Sequence, residues 1–522
     1  MKKALTWITL VSVIAACIAA IPFTASAAWD GATATPFEGE GTSEKPYLIA
    51  SAENLRSLQE QVAAGDDFEG MYFTQTADID LGGKEWTPIG SSATPFCGVY
   101  DGLGHKITGL SITKEVNAIG LFGYIESSWA SEAGIMNLTV EGEFVFEKLT
   151  TNPGLGGVVG WVYKDADNGY KRCQLINITS NVNITVVEAT NQPRMGGVFG
   201  YVFEGEVTNV VNNGTITYTG SANSRVGGVV GQSNRTTFTS CVNNGSMLIN
   251  MTGTATAHVG GICSMTTYKT IDVYTIYDNC VNNGAITVET ADGKIYLGGI
   301  TGATYSSGKP LYLEVKNCLN TAAISGRVNS EGGKNIFIGG ISAYSENTYS
   351  SVVDCVNNST DVTGETKATG CVGGIVGKFT ADETMFIKDC LSLSETISGE
   401  QAATETGCEV SALAAQINPK IDAIKAKLGS VEGAQINGFP GAAEVTTEEI
   451  TTAAEPEVTT AEQIEVETNP QTDPETTTKA AEPEVTTKAP EPEKKGCGSV
   501  TASALAVLAL IGSAAVIGRK HN

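Results

Sequence analysis

The sequence predicts an all-β fold: a parallel β-helix (solenoid) with short capping helices, then a disordered acidic stalk and one C-terminal transmembrane helix. Three observations predict the solenoid. A diglycine followed by β-branched residues recurs at Gly156-Gly157, Gly196-Gly197, Gly227-Gly228, Gly260-Gly261, Gly298-Gly299, Gly339-Gly340 and Gly373-Gly374, with the second glycines 40, 31, 33, 38, 41 and 34 residues apart. A second marker lies between them: Cys241-Val242-Asn243-Asn244-Gly245, Cys280-Val281-Asn282-Asn283-Gly284, Cys318-Leu319-Asn320 and Cys355-Val356-Asn357-Asn358. Val210-Val211-Asn212-Asn213-Gly214 is the same unit with Val for Cys, and Cys390-Leu391-Ser392 is a degenerate last copy. Two unrelated markers keeping one period mean a stacked repeat. The composition agrees: Gly is 60 of 522 residues and charged residues are only 17%, against ~25% in ordinary globular chains.

Within a unit, one β run starts at the diglycine, a second runs up to the Cys, and a third follows Asn-Asn-Gly. No helical stripe fits inside. Asn and Gly accept left-handed backbone, so Asn-Asn-Gly reads as a corner. Three strands with corners make one coil, and coils stack at ~4.8 Å. Equivalent side chains then form columns. Asn212, Asn243, Asn282, Asn320 and Asn357 are expected to form a hydrogen-bonded amide ladder, and Cys241, Cys280, Cys318 and Cys355 a buried column of thiols. Some disulfides remain the alternative for these cysteines.

Along the chain, residues 1–27 read as a secretory signal peptide: Met1-Lys2-Lys3, an apolar run from Ala4 to Phe23, and Ala25-Ser26-Ala27 before the expected cleavage. Ile14-Ala15-Ala16-Cys17 leaves a lipoprotein site as an alternative. Residues 28–110 are expected to hold the N-terminal cap and first coils. There Ser51-Ala52-Glu53-Asn54-Leu55 up to Gly65 has a capping Ser, an acidic first turn, a Leu55/Leu58/Val62 stripe and a Gly stop, which spells a short helix. Residues 111–400 carry the repeats of about 36 residues. Residues 401–440 are expected to form a C-terminal cap with an amphipathic helix over Ser411–Leu428, interrupted by Pro419. Both helices are expected to cover the open ends of the stack, where bare strand edges invite pairing.

Residues 441–495 are rich in Thr, Pro and Glu, and the octet AAEPEVTT occurs twice. Such a stretch cannot offset chain entropy by burial and is expected to be a self-repelling linker. Residues 496–522 are read as a transmembrane anchor and basic tail. Val500–Gly518 carries no charge and would span roughly 28 Å as a helix, matching the ~30 Å hydrocarbon core. Arg519-Lys520 then places the tail in the cytoplasm and the body outside the cell.

The net charge is −25, which argues against nucleic acid as a partner. His105, His258 and His521 are the only histidines, so no metal site and no cofactor are assigned. Parallel β-helices can carry carboxylate chemistry, and Asp78/Asp80, Asp101 and Asp165/Asp167 are the candidates for it. Turn and corner roles fit each of them, and no catalytic residue is assigned.

The segments Gly41-Thr42-Ser43-Glu44-Lys45-Pro46-Tyr47-Leu48-Ile49, Ala77-Asp78-Ile79-Asp80-Leu81, Trp86-Thr87-Pro88-Ile89-Gly90, Phe96-Cys97-Gly98-Val99-Tyr100-Asp101-Gly102-Leu103-Gly104-His105 and Gly120-Leu121-Phe122-Gly123 together resemble bacterial surface proteins with GLUG-type repeats. They are similar to the N-terminal regions of streptococcal immunoglobulin-A proteases and to clostridial adhesin-like proteins, over roughly residues 37–400. The resemblance implies a right-handed parallel β-helix on the surface of a Gram-positive bacterium. It does not extend to the protease domain, because neither His105 nor His258 begins an H-E-x-x-H.

The expected function is therefore a membrane-anchored, non-catalytic, adhesin-like protein whose partner is an extracellular glycan or protein. A polysaccharide lyase or glycoside hydrolase on the same fold, and a passive wall spacer, remain alternatives. Loops between the diglycine strand and the Cys strand carry tyrosines. Tyr268, Tyr305, Tyr344 and Tyr349 are the candidate ligand-binding residues, expected on one shared face.

Overall fold

The computed structural model describes residues 28–428 except 129–130, 164–170, 269–273, 307–310, 347, 369, 380–385, 395–397, 401–403 and 407–413. The expectations for the signal peptide, Asp165/Asp167, the stalk and the membrane anchor fall outside the described residues. Those described lie in one compact unit ending at Thr446; the second unit begins at Thr447, outside them. No helix among the described residues is long and apolar enough to cross a membrane.

The fold is an all-β, right-handed parallel β-solenoid of about 7 turns with few helices. One coil shows its logic. Ser224–Gly227 leads to the diglycine corner, then Val230–Asn234, Thr237–Thr239, Val242–Asn243 and Met247–Met251 follow. Each strand pairs in parallel with its equivalent one coil on: Gly227 with Gly260, Val242 with Val281, and Met247 with Ile286. Strands preceding the glycine corner build an eight-stranded sheet, and strands following it build a nine-stranded sheet. The strands before each Cys, the Val-Asn strands and the third strands belong to a 24-stranded sheet.

The diglycine does not start a strand, as the sequence suggested; it separates two. At this corner the backbone lies against the Asn column. A Cβ on Gly261 would sit 2.6 Å from Asn282 Cγ and would also meet the Gly299 carbonyl, so only glycine fits. The short segment before it, such as Ala257–Gly260, forms a separate strand. A second corner precedes each Cys, where Ser240, Asn279, Asn317, Asp354 and Asp389 all adopt positive φ between 50 and 58°. Asn and Asp tolerate this left-handed backbone better than other non-glycine residues.

Residues then alternate about the wall. Cys241 points into the main core, Val242 belongs to a separate outer cluster, and Asn243 is buried again. Inside, Asn212 Nδ2 donates to Asn243 Oδ1, Asn243 to Asn282, Asn282 to Asn320 and Asn320 to Asn357, each at 2.9 Å. Each amide also donates to a carbonyl two residues on, as Asn243 does to Gly245 O at 3.0 Å. A second, outer ladder runs Asn283 to Asn244 to Asn213 to Asn181, each at 2.8 Å. The nine described cysteines are buried. Burial holds the Cys280, Cys318 and Cys355 thiols well above the ordinary range.

Helix α1, Ala52–Ala64, has Ser51 as N-cap accepting the Asn54 N–H at 3.3 Å, and Gly65 stops it with φ of 115°. Leu55, Leu58 and Val62 join the main core beside the first strand, Tyr47–Ile49. That strand's outer edge is met by an antiparallel bridge from Glu38 to Leu48.

Helix α2, Ala414–Leu428, continues through Pro419. It is not laid over the end of the stack as expected, but packs on its flank. Ile417, Ile421, Ile424 and Leu428 form one cluster with the outward column Val211, Val242, Val281, Leu319, Val356 and Leu391. Lys420 Nζ fixes the helix beside the last coils, donating to the Asp354 carboxylate at 3.1 Å and to the Asp389 carbonyl. The dimensions match: fifteen residues give about 22 Å of helix, and six rungs give about 24 Å of column. An outward apolar column needs cover, and this helix supplies an apolar stripe of the right spacing and length.

Candidate functional site, a groove along the diglycine corner

The eight- and nine-stranded sheets meet at the glycine corner with almost no side chain between them. A Cβ on Gly160 would lie 2.5 Å from Ile119 N, and one on Gly231 would lie 2.5 Å from Met195 N. Close approach at this seam leaves the outer faces of the two sheets facing each other across a groove.

One wall is the outer column of the eight-stranded sheet. In strict register it reads Ala118, Gly154, Arg194, Arg225, His258, Tyr296, Phe337 and Cys371. The other wall carries Tyr124, Trp161 and Tyr201 in register, with Tyr163 beside them and Tyr344 further along. Contacts across the groove tie the walls together. Trp161 Nε1 donates to Asn117 O at 3.0 Å. The Arg194 guanidinium sits 5.0 Å from the Trp161 ring centre and 5.5 Å from that of Tyr201, and its Nε donates to Gln232 Oε1 at 2.8 Å. At the far end Phe337 and Tyr344 meet at 4.9 Å.

The size gradient along the first wall decides where the groove is open. At the C-terminal end large rings fill it: His258 stacks on Tyr296 at 5.2 Å, and Tyr296 on Phe337 at 5.0 Å. Tyr296, Phe337 and Tyr344 are buried there. At the N-terminal end Ala118 and Gly154 contribute almost no side chain. A cavity of about 690 Å³ remains, lined by Pro88, Val116, Asn117, Ala118, Tyr124, Asn152, Trp161 and Tyr163. Tyr124 and Trp161 lie nearly parallel there, 6.4 Å apart with 17° between planes. The volume falls within the ~300–1,000 Å³ of ordinary ligand sites.

The tyrosines singled out from sequence do not share one face. Tyr305 and Tyr344 lie in the filled half of the groove, with ring centres 5.7 Å apart. Tyr349 lies on a different wall, stacked at 4.8 Å on Tyr312, which stacks at 4.7 Å on the exposed Tyr274. The Tyr268 backbone pairs with Ser306, and its side chain lies outside the described residues. Sequence reasoning missed Tyr124, Trp161 and Tyr163. The signal was present: Gly-Trp-Val-Tyr after Gly157, Gly-Tyr-Val-Phe after Gly197 and Gly-Tyr-Ile after Leu121-Phe122 place an aromatic after a seam glycine.

The candidate carboxylates Asp78, Asp80 and Asp101 are engaged in corners. Asp78 accepts from the Lys106 N–H at 3.0 Å and faces His105 Nδ1 at 3.2 Å, and the Lys106 N–H holds its carboxyl below the usual range. Asp80 accepts from the Gly82 N–H at 2.8 Å. Asp101 accepts from the Leu103 N–H and from Asn137 Nδ2, both at 2.9 Å.

No family model matches the chain. Over 115 residues it is 39% identical to a "Putative Gly-rich membrane protein" of Evansella cellulosilytica, covering 20% of this chain and 12% of that protein. Over 135 residues it is 30% identical to Halomucin of Haloquadratum walsbyi, covering 24% of this chain and 1% of that protein. The chain therefore spans only a small part of either relative. Among solved structures, a "putative immunoglobulin A1 protease" from Bacteroides ovatus aligns over 74% of this chain and 89% of its own, at 17% identity and a TM-score of 0.38. The fold assignment rests on the chain's own strand pairing.

Proposed function

We propose that this chain is a surface-displayed, non-catalytic β-helix that binds an extracellular glycan in the open half of the groove. Residues 1–27 would export it and the apolar segment 500–518 would anchor it. A relative named as a membrane protein supports the anchored reading. One observation carries the ligand reading: the cavity of about 690 Å³ presents the rings of Tyr124, Trp161 and Tyr163 beside the amides of Asn117 and Asn152. Flat aromatic faces suit the C–H faces of sugar rings, and amides suit their hydroxyls. Rings held in rungs of a stack lose little entropy when a ligand binds.

The test is a glycan array read with the full chain and with Trp161→Ala. Binding to a defined glycan, weakened at least tenfold by the substitution, is the expected outcome. No binding by the folded chain, or equal binding by the variant, would remove the groove from the account.

A further inference from the structure

Six arginines fall among the described residues outside the basic tail, and four of them hold a glutamate. Arg56 pairs with Glu60, Arg172 with Glu206, Arg235 with Glu204 and Arg327 with Glu365. Arg194 and Arg225 are the exceptions. They are direct register partners on adjacent coils, on the same outer face and inside the groove. Among the described residues neither takes part in an ion pair. Two arginines on adjacent rungs without a carboxylate partner are unexpected in a chain of net charge −25, where acidic partners are plentiful.

Their position is specific. Arg194 lies over Trp161, which lines the open cleft. Arg225 is the next rung on, where the cleft narrows toward His258. Arg225 Nε is buried and has no hydrogen-bond partner. A desolvated, unpartnered donor makes Arg225 costly to hold at this place, and an anion meeting the accessible part of the guanidinium would offset that cost. Burial, with the neighbouring Arg194 charge adding to it, pushes Arg225 down to about 10.

We propose that Arg194 and Arg225, one and two rungs beyond Trp161 and next to the open cleft rather than in its lining, form an anion-recognising subsite that selects a glycan with carboxylated sugar units over its neutral counterpart. This deepens the glycan-binding reading above and rests on it. The guanidinium fork matches a carboxylate in a bidentate fashion, and partial burial strengthens the pair relative to one in water. The adjoining aromatic cleft takes the sugar rings, while the acidic body disfavours ligands that are anionic throughout. A sugar acid set among neutral rings fits both conditions better than an acidic peptide.

The full chain is titrated with hyaluronan oligosaccharides and sialyllactose, each beside its carboxyl methyl ester, with poly-glutamate as a peptide control. At least one acid should bind tenfold or more tightly than its ester, with the difference shrinking as salt rises. Arg225→Gln should bring the acid down to the level of the ester and leave ester binding unchanged. Trp161→Ala should weaken both. The thermal midpoint of Arg225→Gln should not fall, because the substitution removes repulsion and an unpartnered donor. Equal binding of acid and ester would overturn the anion subsite and leave the glycan cleft standing. Poly-glutamate binding as tightly as the sugar acids would overturn the choice of glycan. Loss of acid and ester binding together with a lower midpoint in Arg225→Gln would mean a structural role only. No binding to any probe would overturn both readings.

Discussion

Asn282 shows how much one side chain can hold in a stack. Its Nδ2 donates to Asn320 Oδ1 and to Gly284 O, and its Oδ1 accepts from Asn243 Nδ2. Asn282→Ala strands these buried groups, at ~1–3 kcal/mol for each left unpaired. Denaturant unfolding should show a loss of about 2–4 kcal/mol. The exposed outer-ladder change Asn213→Ala should cost under about 1 kcal/mol, because water replaces its bonds. Equal losses would mean that the inner ladder adds nothing beyond local polarity. His258 gives a pH signature. It is buried, stacked on Tyr296 and near Ser224 O at 3.2 Å. Burial pushes it down from 6.5 to about 4, so the unfolded chain binds the proton more readily. The stabilisation is present above pH 6.5 and is lost as pH falls toward 4, on the order of 3 kcal/mol in all. His258→Phe, which continues the ring column, should flatten that part of the stability–pH curve; an unchanged slope would place its cause elsewhere. At this scale the ladder was legible, because Asn-Asn-Gly recurs with the period and a stack leaves equivalent residues nowhere else to go. Trp161 was not, because Gly-Trp-Val-Tyr shows neither that the glycine is a seam nor which wall faces it.

The elements divide in the same way. Helix α1 could be read in full, since its cap, stripe and stop are all local. The existence of α2 could be read from Ile417, Ile421, Ile424 and Leu428, but its docking place could not. Only the finished stack reveals that the residues between Cys and Asn form an apolar column of six that needs cover. Ile421→Asp places an unpaired charge in that buried seam, which disfavours docking of the helix. Hydrogen exchange should then accelerate across 414–428 while the core strands keep their protection. Unchanged exchange in the helix would show that the seam does not hold it. The diglycine strand was misplaced for a related reason. Val and Ile after the glycines carry the β signal, while the short strand before them, such as Ala257–Gly260, ends in a glycine that propensity reads as a break.

Over the whole molecule, one repeat does two jobs. Inside, Asn, Cys and rings stack like on like, and each coil supports the next through nearest-neighbour contacts. Outside, the same register lets one column change gradually, from Ala118 and Gly154 through Arg194 and Arg225 to Tyr296 and Phe337. A groove that would otherwise be uniform is thereby open at one end, cationic in the middle and filled at the other. Repeat period and fold class were visible in the sequence because every coil restates them. The gradient was not, because it depends on which of the alternating positions face outward at the seam.

Hydrogen–deuterium exchange on the full chain, with and without a glycan found on the array, tests the groove most directly. The account predicts new protection confined to residues 87–92, 116–126, 152–163, 194–203 and 224–227, the strands and corners around the open cleft and the two arginines. Protection centred instead on Tyr274, Tyr312 and Tyr349, on the other wall of the stack, would contradict it.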